Sequence, residues 1–167
     1  MANLESFKAR IGGGVRPNQF SVEITGAPVT FTGLDFLCHA ASLPGSTIGQ
    51  APVFHRGRVI PLAGERTFNP WNITIYADQA LAIRSQFEVW SNLMNDYANA
   101  SGETDPNSYK AQAIVTQLDR NDLVVKTYNI VGIFPVDISE IQLAWQQNDT
   151  VEEFTVTFAV ERVDPLG

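Results

Sequence analysis

The chain has 167 residues, 44% of them hydrophobic and 17% charged, with a formal net charge of −7. That length suffices for one domain with a real core, and the composition is that of a folded chain, not a disordered one. The acidic balance argues against a surface that grips nucleic acid, because such binding rests on Lys and Arg neutralising phosphates.

The charge is unevenly placed. Residues 1–100 carry seven acids and seven bases, whereas residues 101–167 carry eleven acids and four bases. The acidic second half is either a solvated face or a wall that repels polyanions. The charged fraction lies below the roughly 25% usual for globular domains, which leaves uncharged surface for partner subunits to cover. The single cysteine, Cys38, has no internal disulfide partner, so a reducing compartment is the expected place of folding. No charged-then-apolar leader opens the chain and no apolar run approaches the ~20 residues of a membrane span, so neither signal-peptide export nor membrane insertion is expected.

In chain order, residues 1–15 end in "GGG" and read as a flexible N-terminal arm. "PNQFSVEIT" then alternates Phe20, Val22 and Ile24 with Gln19, Ser21 and Glu23, which is the period of a half-buried strand. A second strand is expected from Val29 to about Ala41, with Gly33 marking a turn or bulge. Residues 42–68 are rich in Gly and Pro yet hold two β-favouring pieces split at Gly57. They read as a long loop or an extended hairpin projecting from the body, and a connection of that length usually has a job.

"NPWNITIYA" predicts a strand with Trp71, Ile73 and Ile75 on one face. Asp78 stands where a helix N-cap belongs, and Ile83, Phe87, Trp90, Met94 and Tyr97 recur at helical spacing, which predicts one amphipathic helix over 78–98. Four strands should follow: 110–119, 123–134, 138–145 and 151–163. The first two are joined by the tight turn "DRND" and the last two by "QQNDT". The fold class is therefore mainly β (α+β), a single domain over 1–167. Its antiparallel sheets pack as a sandwich able to contribute to a barrel, with one flanking helix.

Catalytic patterns are missing. His39 and His55 are the only histidines and Cys38 the only cysteine, and adjacent Cys38 and His39 in a strand point to opposite faces, so no metal is expected. There is no G-x-S-x-G elbow, and "IGGGVRP" lacks the strand, the Lys and the spacing of a phosphate loop. Glu152 and Glu153 alternate across a strand and are no acid/base pair. Neither a cofactor nor an enzymatic activity is implied.

The order of motifs carries more information. "RPNQFSVEI", "HAASLPG", "AGERTFNPWNITIYAD", and "IVGIFPVDISEIQLAW" followed by "NDTVEEFTVTFAV" resemble the tail tube proteins of contractile-tailed bacteriophages, over roughly residues 16–162. The resemblance implies a structural virion protein, assembled in the host cytoplasm, whose copies form hexameric rings that stack into a hollow tube inside the sheath. It implies four strands from each subunit in one barrel around the lumen. The implied partners are the sheath protein, the baseplate hub or initiator, the tape-measure protein and the tail terminator, with DNA passing through without specific binding. The same architecture serves tubes of phage-derived injection machines, type VI secretion tubes and baseplate tube initiators. A ligand-binding β-sandwich is the alternative from another class.

Elementary geometry agrees with a conduit. About 24 strands at ~4.8 Å, tilted ~40°, close a circumference of ~150 Å and a backbone diameter of ~48 Å. Removing one side-chain layer of ~5 Å per wall leaves ~38 Å, enough for a duplex some ~20 Å across. A cationic lining would hold DNA, so the lumen is expected to be acidic or neutral. Alternation along the two late strands nominates Glu140, Gln142, Glu152 and Glu153 as lumen-lining, with Ile141 and Leu143 turned to the core. Arg56, Arg58 and Arg66, opposed only by Glu65, are the expected inter-ring contact, meeting acidic surface on the next ring unless they form merely a solvated loop.

Overall fold

The structure is a computed structural model that describes residues 3–12 and 14–166. Of the expected N-terminal arm, Met1, Ala2 and Gly13 of the glycine hinge lie outside the described residues. The remainder of the arm holds a helix, α1 (Leu4–Ile11), capped by the Asn3 side chain, which accepts from the Glu5 amide at 3.3 Å. α1 buries none of its residues.

Strand β1 (Phe20–Thr25) follows. The expected strand over 29–41 is instead a short helix, α2 (Leu34–Leu37), leading into a four-residue strand, β2 (Cys38–Ala41). Gly33 makes the difference: its φ of +78° turns the chain, and its carbonyl accepts from the Phe36 and Leu37 amides to start the helical turn. Residues 42–68 form an extended hairpin of β3 (Ser46–His55) and β4 (Arg58–Phe68), which stands away from the body as its own two-stranded sheet. β5 (Trp71–Tyr76) returns to the core.

Helix α3 spans Ala82–Met94, shorter at both ends than the apolar periodicity suggests. Asp78 does serve its start, accepting from the Ala82 amide at 3.2 Å, but an intervening turn with Leu81 at φ +51° delays the helix by a few residues. Asp96 stops the other end. Its carboxylate accepts from the Asn99 and Ala98 amides at 3.0 and 2.8 Å, a local turn that competes with the helix and holds its pKa below the ordinary value. A single-turn helix, α4 (Pro106–Tyr109), precedes β6 (Ala111–Leu118), β7 (Val124–Ile138), β8 (Glu153–Ala159) and β9 (Arg162–Leu166).

Every strand pair is antiparallel, and the strands outside the hairpin form one ladder in the order β1-β6-β7-β8-β5-β2, with β9 also on β7. β7 is 15 residues long and belongs to two layers. Its residues 124–133 pair with β6, 127–131 also pair with β9, and residues 134–138 pair with β8. The change of layer occurs at Gly132, where φ is +69° and a side chain would run into Glu161.

The first sheet is thus β1-β6-β7-β9 and the second is β7-β8-β5-β2. Their inner faces share one core: Val22, Ala113, Val115 and Ile130 from the first sheet, and Trp71, Ile73, Ile75, Phe154, Val156 and Phe158 from the second. α3 inserts Ile83, Phe87 and Trp90 into that core, with Phe87 edge-on to both Phe154 and Phe158. Burying a large aromatic contributes roughly 1.5–3 kcal/mol from area alone, so this cluster is where the fold is held.

One expected strand is absent. β7 ends at Ile138, and residues 139–152 form an irregular connection, although "ISEIQLAW" alternates like a strand. Leu143 is 79% exposed and Trp145 is fully exposed. The expected long strand 151–163 is likewise divided into β8 and β9 at Val160–Glu161, so that β9 joins the first sheet and not the second.

Candidate functional site: the outer face of the second sheet and the projecting hairpin

The second sheet has one face against the core and the helix, and one face turned outward. Alternation fixes which residues lie there. In β5, Trp71, Ile73 and Ile75 are buried, so Asn72, Thr74 and Tyr76 face outward. The register places Thr157, Thr155 and Glu153 beside them on β8, and Asp137 beside Thr157 on β7.

The face is held together by its own side chains. Thr74 and Thr155 share a hydroxyl hydrogen bond at 3.1 Å across the strands. Ser139 donates its amide to the Thr155 carbonyl and accepts the Thr155 amide on its hydroxyl, both at 2.9 Å. The register shift between Cys38 and Ala40 makes His39 a bulged residue, which lays its ring on Tyr76 with centroids 4.0 Å apart and reaches Glu153 at 2.9 Å. Cys38, its neighbour, is buried, and burial pushes its thiol up to about 11. The face therefore presents hydroxyls, amides and carboxylates, with no Lys or Arg among these positions. α3 lies against the opposite side of the same sheet, through Phe154 and Phe158.

Both borders of this sheet are open. β2 pairs only with β5, and residues 134–138 of β7 pair only with β8, so among the described residues each border leaves a row of backbone donors and acceptors free.

The nominated lumen residues separate. Glu153 sits on the outward face, but Glu140 and Gln142 do not, because no strand exists there. They lie on the irregular 139–152 connection, joined to each other at 2.6 Å; of the two residues expected to face the core, Ile141 packs against it and Leu143 is exposed. Glu152 stands just before β8, its carbonyl accepting from the Ala77 amide at 2.8 Å. Sequence reasoning missed Thr74, Thr155 and Thr157. The period-two pattern of "WNITIYA" and "FTVTFA" marks those threonines as outward, but polar uncharged residues carry no chemical signature that singles them out.

The three arginines separate too. Arg56 and Gly57 form the turn of the hairpin, at φ +45° and +81°, and Arg58 opens the strand that follows it. Arg66 lies eight residues down β4, roughly 26 Å away at ~3.3 Å per residue, where it donates to the Ser46 hydroxyl at 2.8 Å. Arg66 braces the base of the hairpin and is no part of its tip. The hairpin is exposed on both faces: Val53, Ile60 and Leu62 on one, Phe54 and Val59 on the other. An isolated two-stranded hairpin is marginal in water.

No three metal-ligating side chains converge among the described residues. No helix among them is long and apolar enough to cross a membrane.

Comparison with known proteins gives this architecture a context. The family model described as "Phage tail tube protein" matches residues 15–163. The chain is 36% identical over 151 residues to the tail tube protein gp19 of Enterobacteria phage T4, covering 90% of this chain and 91% of that one. Among solved structures, a chain of the sheath–tube complex of the extracellular contractile injection system PVC in its extended state aligns with a TM-score of 0.70 at 11% identity. That alignment covers 95% of this chain and 97% of the other. A chain of the anti-feeding prophage baseplate aligns with a TM-score of 0.66 at 16% identity over 90% and 93% of the two chains. These last two are likenesses of fold.

Proposed function

The chain belongs to the phage tail tube protein family, and from that premise we propose that it is the tube subunit of a contractile phage tail, a structural virion protein without catalytic turnover. The observation that carries the reading is the four-stranded second sheet, open at both borders and polar on its outward face. Strand pairing between β2 of one copy and the free edge of β7 in the next removes both borders at once, which is how a closed barrel abolishes edges. Six copies supply 24 strands, the number whose circumference leaves room for a duplex.

On this reading the outward face lines the bore and α3 lies on the tube exterior, toward the sheath. Thr74, Thr155 and Thr157 give DNA hydroxyls to pass, and Asp137 and Glu153 repel its phosphates. Glu140, Gln142 and Glu152 belong to the rim of the bore and not to its wall. Arg56 and Arg58, at the hairpin tip, make the contact between rings. The baseplate, the tape-measure protein and the terminator act as partners at the tube ends. The 36% identity to a phage tail tube protein favours a phage tail over an injection-machine tube, to which the likeness is one of fold alone.

Electron microscopy of the purified protein tests the proposal. Six-fold rings or stacked tubes are expected. A persistent monomer under all conditions, or rings of another order, would refute the hexameric barrel.

A further inference from the structure

The β3–β4 hairpin is built in two unlike parts. Its root is fixed to the body. The indole Nε1 of Trp71, a fully buried side chain, donates to the Ser42 carbonyl at 2.7 Å, and Ser42 donates its amide to the Asn72 carbonyl at 3.0 Å. Asn72 returns its own amide to the Ser42 hydroxyl at 3.2 Å. The Asn69 amide donates to the Gly45 carbonyl at 3.0 Å, and Arg66 to the Ser46 hydroxyl at 2.8 Å. The pairs Ser46–Phe68, Thr47–Thr67 and Ile48–Arg66 complete the root.

Beyond Ile48 the ladder breaks. The next pair is Gln50–Ala63, so Gly49 alone faces two residues, Gly64 and Glu65. That is a β-bulge with glycine on both strands. The backbones meet closely there: a Cβ on Gly64 would stand 3.0 Å from the Gly49 carbonyl oxygen. Neither glycine has a side chain to clamp the crossing, and glycine admits the widest range of backbone angles.

The arm past the bulge is regular again, from the pair Gln50–Ala63 to the pair His55–Arg58. It holds Pro52 opposite Pro61, whose rings fix φ on both strands, next to the β-branched Val53, Val59 and Ile60. No apolar residue from 42 to 70 belongs to the core or packs against it, so no core contact sets the angle of the arm. A stiff arm on a fixed root concentrates bending at the one place between them that lacks side chains. Six residues at ~3.3 Å give the arm a length of about 20 Å, so a swing of ~15° moves its tip by ~5 Å.

We propose that Gly49 and Gly64 form a joint on which the arm swings relative to the root. On the tube reading above, the root stays with the wall of its own ring while Arg56 and Arg58 follow the next ring. The joint then takes up the rotation between the two. The inference rests on that reading only for the joint's role in the tube; the swing itself belongs to the single chain.

Pulsed dipolar spectroscopy on spin-labelled subunits tests it. In a Cys38→Ala background one label sits on the body at Ser21→Cys. The second sits either short of the joint at Thr47→Cys or past it at Val59→Cys. In the unassembled protein the Ser21–Val59 distance distribution is expected to be at least about twice as wide as the Ser21–Thr47 one. Deleting Gly64 restores one-to-one pairing, Gly49 with Glu65, and leaves the other pairs of the hairpin in register. That deletion should bring the Ser21–Val59 width down to the Ser21–Thr47 width, with Tm unchanged because the hairpin lies outside the core. Equal widths without the deletion, or a broad Ser21–Val59 distribution that survives it, overturn the joint. By cryo-electron microscopy the deletion variant is expected to assemble with a changed rotation between successive rings, or not at all. Tubes of that variant with the wild-type rotation would remove the joint from the tube. If the swing is found but the wild-type chain forms no rings or tubes, it is the tube reading that fails.

Discussion

His39 reaches across β5 from the edge strand β2 to Glu153 on β8, with Nε2 2.9 Å from Oε2 and its ring stacked on Tyr76. An exposed polar contact of this kind is worth only about 0–1 kcal/mol, so its use lies in fixing the border strand and not in holding the fold. His39→Ala is expected to shift unfolding stability by less than about 1 kcal/mol while loosening β2, the strand that the proposed barrel pairs with a neighbour. Denaturant titration and a polymerisation assay on the same variant check this. Stability lost with polymerisation intact would reverse the assignment.

Phe87 is fully buried between Phe31, Phe154 and Phe158. Phe87→Ala should cost about 3–5 kcal/mol, by lost transfer energy and by the cavity left where α3 meets the second sheet. The midpoint of urea unfolding measures it.

Gly132 turns β7 from one sheet to the other at φ +69°, with Glu161 against the place a Cβ would take. Gly132→Ala should destabilise by at least about 1–2 kcal/mol from the left-handed backbone alone. A lowered Tm without a change in strand content by circular dichroism is the expected signature.

Burial raises the Cys38 thiol from its ordinary 9.0 to about 11, so the folded state holds that proton more tightly than the unfolded chain does. The resulting stabilisation is fully present below pH 9 and is lost as the pH rises through 11. Between pH 7.5 and pH 10.5, wild type should therefore lose more stability than Cys38→Ala, by on the order of 1–2 kcal/mol. Paired denaturant curves at the two pH values decide it.

Thr155 and Thr157 lie on the outward face of the second sheet. Replacing both with Lys should leave tubes able to assemble and slow DNA ejection, with partial recovery as ionic strength rises and screens the new charges. Ejection at the wild-type rate from intact tubes would remove this face from the bore.

Much of the fold was legible because its signals are local. The alternation in "WNITIYA" and "FTVTFA", and the helical spacing of Ile83, Phe87 and Trp90, each report a buried face directly. The end of α3 was not legible, since the Asp96 turn competes with an apolar stripe that continues to Tyr97. The short helix at Leu34–Leu37 was hidden for the opposite reason: its four residues carry no period, and only the backbone at Gly33 creates it. The segment 139–145 has the pattern of a strand, but only Ile141 packs on the core while Leu143 and Trp145 are exposed, so pattern and structure part company there.

For the candidate site, Glu153 and the tip arginines were readable as charges. Their grouping was not, because Arg66 and Glu140 owe their positions to strand register and to the end of β7. Register is a long-range property, and a count of nearby charges does not contain it.

The passage of β7 through both layers has a mechanical consequence. A load that reaches one layer is handed to the other through peptide bonds along a single backbone, without relying on side chains to grip. The two layers cannot slide apart unless that backbone stretches, so the subunit behaves as a creased plate, stiff along its fold.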